Sequence, residues 1–76
     1  MIKLKVNGSE PFQINAHSFA VSPSNESYTL AYSADGEEFT NYSEETPSGQ
    51  TLFVNGVPKS CFFKLVNNQS EVTVTY

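Results

Sequence analysis

Apolar residues in this chain recur at every second position, and nowhere at helical spacing over the ten or so residues a helix would need. Ile2, Leu4 and Val6 alternate with Lys3 and Lys5, which predicts a strand with one apolar face. Phe12 and Ile14 predict a second strand, whose start lies at an edge or bulge because Pro11 precedes it. Phe19 and Val21 alternate over a shorter stretch, before Ser22-Pro23-Ser24-Asn25 breaks into a loop. Tyr28, Leu30 and Tyr32 share one face of the next strand. A return strand is expected from Glu38 to Tyr42, and another from Gln50 to Val54. Cys61 to Val66 is nearly all apolar, as a central strand is, and Glu71 to Tyr76 ends with clean alternation.

Turn chemistry punctuates this pattern. Asn7-Gly8 and Asp35-Gly36 tolerate positive φ and mark tight turns. Asn55-Gly56-Val57-Pro58 turns the chain again, and Asn67-Asn68 is expected to close a hairpin between the last two strands. About seven strands at roughly 8–12-residue spacing read as a β-sandwich. The expected fold is thus all-β, one domain over residues 1–76.

Composition narrows the use of such a domain. A chain of 76 residues buries only about 60% of the surface its unfolded form exposes. Its core is therefore thin and leaves little room for a deep, water-excluding active site. Ten residues are aromatic, and Val and Thr are frequent, which suits a pleated surface. The net charge is −4, with four Lys and no Arg. Phosphate neutralisation dominates nucleic-acid affinity, so neither nucleic acid nor an anionic membrane surface is an expected partner. The lone cysteine forbids an intrachain disulfide, and the alternating start Met1–Val6 is no signal peptide or membrane span. Synthesis in a reducing cytoplasm is expected.

The residues that carry chemistry are few. His17 is the only histidine and lacks the partners that metal binding or base catalysis requires. Cys61 lies in an apolar strand, which disfavours its thiolate and predicts a buried thiol. Asp35, with Glu37 and Glu38, reads as a turn followed by solvated carboxylates, not as a calcium loop. Four Asn-x-Ser triplets begin at Asn7, Asn25, Asn41 and Asn68 and are read as turn formers. No paired acids, nucleophile–base pair or phosphate loop is evident, so catalysis, cofactors and metals are not expected. The better candidates are apolar. If Cys61, Phe63 and Leu65 face inward, Phe62 and Val66 face outward, and Phe53 stands outward between Leu52 and Val54. Phe53, Phe62 and Val66, with Glu44 and Glu45 in the loop before Gly49, form the candidate interface. Tyr28, Tyr32, Tyr42 and Phe39 are expected in the core.

The stretch from Tyr28 to Thr40, with its strand, Asp35-Gly36 turn and aromatic return strand, resembles part of a fibronectin type III or immunoglobulin-like domain. Gln50 to Lys59 looks like that family's strand running into a Pro-containing corner. Cys61 to Leu65 and Val72 to Tyr76 look like its last two strands. The Ser/Thr/Asn-rich style and the segment Tyr32-Ser33-Ala34-Asp35-Gly36 are also similar to small auxiliary (decoration) capsid proteins of tailed phages, in the crAss-like group infecting gut Bacteroides. That resemblance implies a structural virion protein on the capsid surface. The major capsid protein would be its partner, with other virion proteins and homo-oligomerisation left open. A carbohydrate- or protein-binding adhesion module is the alternative.

Overall fold

The computed structural model describes residues 1–76 and contains strands only. In chain order they are β1 (Lys3–Asn7), β2 (Phe12–Ile14), β3 (Ser18–Val21), β4 (Thr29–Ser33), β5 (Thr40–Asn41), β6 (Leu52–Asn55), β7 (Cys61–Val66) and β8 (Glu71–Thr75). They form two four-stranded antiparallel sheets, β1-β8-β3-β6 and β2-β7-β4-β5. The all-β sandwich predicted from alternation is present, with eight strands.

Its connectivity departs from the immunoglobulin-like pattern. In that pattern the last two strands are neighbours in one sheet. Here β7 pairs with β2 and β4 while β8 pairs with β1 and β3, so the two lie in facing sheets. The pairs β1·β8, β2·β7, β3·β6 and β4·β5 are nested, as if one long hairpin had been rolled up, which is the strand order of a jelly roll. Asn67-Asn68 accordingly closes no hairpin. It carries the chain across the sandwich, with Asn67 at φ +74°.

The inward positions of both sheets meet in one core. Val6, Val72, Val74, Phe19, Val21 and Val54 come from the first sheet, and Phe12, Ile14, Leu30, Cys61, Phe63 and Leu65 from the second. Each fully buried aliphatic or aromatic side chain contributes about 1.5–3 kcal/mol. Phe12, Phe19 and Phe63 pack around one another with ring centroids 4.8–6.3 Å apart and join the two sheets. Truncating Phe63, wholly buried among them, would cost about 3–5 kcal/mol.

The nested order gathers the β1–β2, β3–β4, β5–β6 and β7–β8 connections at one end of the sandwich. Asn68, 1% exposed, is the peg of that end. Its amide donates to the carbonyls of Gly8 (3.0 Å) and Ser70 (2.8 Å), and its side-chain oxygen accepts from the Ser24 hydroxyl (2.6 Å). Ser9 donates to the carbonyls of Leu65 and Asn68. The Glu26 carboxylate accepts from the Ser70 hydroxyl and the Gln69 N–H, and both bonds hold it below the usual carboxylate range, the Ser70 bond most. Tyr28 and Thr46 exchange backbone hydrogen bonds, and the Gly49 N–H reaches the Ser24 carbonyl. All four connections are tied into one polar network.

Candidate functional site

The two outer sheet faces are treated differently. On the second sheet, Phe62, Lys64 and Val66 point outward from β7 beside Gln13, Ala31 and Thr29. The β4–β5 connection folds over this face. Gly36 sits on the Phe62 ring at φ +81°, and a side chain there would start 3.4 Å from that ring. The ring lies at ordinary van der Waals distance, and it is the backbone angle that calls for glycine. Phe39 lies under the Lys64 ammonium, 5.2 Å from ring centroid to nitrogen. Ala31 points outward yet is only 1% exposed, so the chain itself roofs this part of the face. Asp35 fixes the roof. Its carboxylate accepts from the Glu37 and Glu38 N–H groups and the Ser33 hydroxyl, which holds it at about 2, the Glu37 bond contributing most.

The first sheet has no such cover. Lys3, Thr75, Ala20 and Phe53 run as a row across its four strands, and Phe53 at the β6 end is 72% exposed. Phe53 and Phe62, read from the sequence as equivalent outward anchors, therefore face opposite directions, and Phe62 is half-buried under the molecule's own loop. Val66 shares the Phe62 face. Glu44 and Glu45 lie in the β5–β6 connection at the Asn68 end, where Glu45 accepts from the Ser27 hydroxyl at 3.2 Å. The five candidate residues thus form no single patch.

The structure brings a different set together. Tyr32 and Tyr42, expected in the core, are each 40% exposed. Their rings meet edge to face, with centroids 6.3 Å apart and planes at 89°. They wall a groove of about 350 Å³ whose far side is Gly56, Val57 and Pro58 and whose floor is Cys61 and Phe63. The cause is the two-residue strand β5, too short to cover the flank of the sandwich between itself and β6. The Tyr42 hydroxyl crosses the opening to the Asn55 carbonyl at 3.4 Å. Phe53, two residues earlier on β6, continues the aromatic surface around the corner. No charged residue occurs from Gln50 to Pro58, so this flank is aromatic and neutral in a chain of net charge −4. Tyr28, by contrast, is in the core as expected, and burial pushes its hydroxyl up to about 12.

The remaining chemistry-bearing residues are tied into the fold. The Cys61 thiol is buried and donates to the Ser33 carbonyl at 3.4 Å. His17 Nδ1 donates to the Val57 carbonyl at 2.7 Å and fastens the β2–β3 connection to the β6–β7 connection. Asn68 belongs to the buried network, and Asn41 lines the Tyr groove.

Comparison with protein-family models, with curated proteins and with solved structures returns no match. Function is therefore read from the site.

Proposed function

We propose that this protein is a non-catalytic docking subunit, an auxiliary protein that binds the major capsid protein and stabilises the head of a tailed phage. The observation that supports docking is the neutral aromatic flank: Tyr32 and Tyr42 exposed around one groove, with Phe53 exposed on the adjoining strand β6, the other exposed large apolar side chains being Met1 and Ile2 at the start of the chain. Aromatic side chains concentrate binding energy at interfaces because they bury large area at low entropic cost. The capsid as the docking target is supported by the resemblance of the chain to small decoration proteins. It is also supported by the jelly-roll strand order, which recurs in capsid and lectin domains. Such analogy supplies a prior and leaves the test to the site. A subunit bound only to the assembled head stabilises it by mass action. Mass spectrometry of purified particles tests the reading, with the chain expected at a fixed stoichiometry to the major capsid protein. Its absence from intact particles would refute it.

A second reading, a carbohydrate-binding module, is favoured by one feature. Two exposed tyrosines stand at right angles beside the Asn41 amide, which suits the stacking and hydrogen bonding of a neutral sugar. A glycan array separates the two, since this reading requires a signal that Tyr32→Ala abolishes.

A further inference from the structure

Two sheets of four strands have four edges, and the chain protects three of them. Strand β1 carries Lys3 and Lys5, β2 is three residues long and entered through Pro11, and β5 is only two residues long. Charge, proline and brevity are the usual devices that prevent an edge from pairing. Strand β6, at four residues the longest of the uncharged edges, has neither charge nor proline. It is Leu52-Phe53-Val54-Asn55, uncharged, with an exposed aromatic in its middle. The Asn55 carbonyl takes the Tyr42 hydroxyl and so points away from β3, towards the open flank. Backbone direction alternates along an antiparallel edge, so the Phe53 N–H and C=O point the same way.

The unpaired edge lies beside the unfilled groove, and the two together select an occupant. A row of backbone donors and acceptors at strand spacing takes an extended chain. A chain added to β6 would hold alternate side chains over Tyr32, Tyr42 and the Phe63 floor, and the others beside Phe53. The β6 strand of a second copy cannot fill this role. Its inward side chains, Leu52 and Val54, are already packed in its own core and leave nothing for the groove. The occupant must be a segment not folded into a sandwich.

We infer that β6 receives an extended arm of the partner subunit as a ninth strand, with apolar residues at every second position filling the Tyr32–Tyr42 groove. This rests on the docking reading and specifies how docking occurs. The arm is uncharged on its groove side and carries no proline at the positions that pair with Phe53 and Asn55.

The test supplies such an arm within the molecule. Tyr76 and Phe53 line one depression on the first sheet, so a tail after Tyr76 starts close to β6. A flexible Gly-Ser linker of about eight residues reaches roughly 26 Å, and holds the tail at an effective concentration of about millimolar. The tail Thr-Leu-Thr-Leu-Thr-Leu-Thr should slow hydrogen exchange at the Phe53 and Asn55 amides at least tenfold and shift the Tyr32 and Tyr42 ring resonances. The same tail with Asp in place of Leu should do neither. Unchanged exchange at Phe53 and Asn55 with the Leu tail overturns the inference, and equal protection by both tails overturns the role of the groove. Should the fusion fail to fold, the Leu peptide added in trans to the unfused chain gives the same two readouts. Particles lacking this protein, with tail protection intact, would remove the capsid reading and leave the edge assignment standing.

Discussion

The Asn68 end and the β5–β6 flank are built from similar material, polar turns and aromatic residues at the margin of one small core, yet they are finished in opposite ways. At the Asn68 end four connections are cross-linked by buried hydrogen bonds, and the side chains of Ser24, Asn68 and Ser70 all find partners within the chain. At the flank, a two-residue strand leaves two tyrosines half-exposed over a buried Phe63 floor, beside a strand edge with no neighbouring strand. Order at one end is over-determined; at the other, surface is left available. A domain this small has few kcal/mol to lose. Separating the region that holds the fold from the region proposed to dock lets each vary without the other.

The largest expected effect comes from breaking the tied end. Asn68→Leu removes both amide donors and the acceptor for Ser24, so the Gly8 carbonyl and the Ser24 hydroxyl lose their Asn68 partner in a largely buried setting, while the Ser70 carbonyl keeps only the Gly8 N–H. Unsatisfied buried groups cost about 1–3 kcal/mol each, so a loss of about 3 kcal/mol or more is expected in urea unfolding. A loss below about 1 kcal/mol would mean that the network is incidental and that the contrast between the regions is false.

Much of this contrast is hidden in the sequence, for identifiable reasons. The strands are legible because alternation such as Val72-Thr73-Val74 reports one buried face directly. Pairing is not legible. Asn67-Asn68 has the chemistry of a hairpin turn, but the same left-handed residue serves equally in an arch between sheets, and only the core decides which. Phe53 is outward as alternation predicts. Phe62 is outward too, but a roof made by Asp35 to Phe39 cannot be inferred from β7 itself. Tyr32 follows the same alternation as Tyr28 and Leu30, and its exposure depends on how little of the flank Thr40–Asn41 covers. The sequence predicts that return strand over Glu38 to Tyr42, and its shortening to two residues, which opens the groove, has no signal in the alternation.

One group at the tied end breaks the rule there and offers a smaller test. The Tyr28 hydroxyl is buried without a hydrogen-bond partner, although the Tyr28 backbone is bonded to Thr46 on both sides. Tyr28→Phe removes an unsatisfied group and keeps the ring. Stability should rise by about 1 kcal/mol, measured by thermal or urea unfolding. A clear loss would show that the hydroxyl has a partner in solution and that the end is fully bonded.

Acid should distinguish the regions by direction. The Glu26 carboxyl is held below its ordinary 4.5 by Ser70 and Gln69, and the Asp35 carboxyl is held at about 2 by Glu37, Ser33 and Glu38. Both titrate lower in the folded than in the unfolded chain. Their contribution is therefore complete above the ordinary carboxylate range and is lost as pH falls from about 4.5 towards about 2. Both are exposed, so the effect is modest. The urea midpoint should fall over that window, and Glu26→Gln should flatten its upper part. The protection of the Gln69 amide, its exchange rate set against that of an unstructured peptide at the same pH, should fall in the same window while that of Phe53 does not change. Parallel changes at both sites would mean that the two regions open together.

The smallest expected effect on stability belongs to the residue expected to matter most for docking. Phe53 is 72% exposed at the sheet edge and outside the core, so Phe53→Ser should change unfolding by no more than about 0.5 kcal/mol. The same substitution removes the aromatic at the centre of the β6 edge and, under the proposed capsid role, should abolish incorporation into particles, read as the ratio of this chain to the major capsid protein. Asn68→Leu supplies the converse, a chain with weakened folding and an intact flank, whose surviving folded fraction should still be incorporated. A Phe53→Ser protein that is as stable as the parent and just as well incorporated would detach exposure from function on this flank. The bare β6 edge would then be an unprotected edge and nothing more.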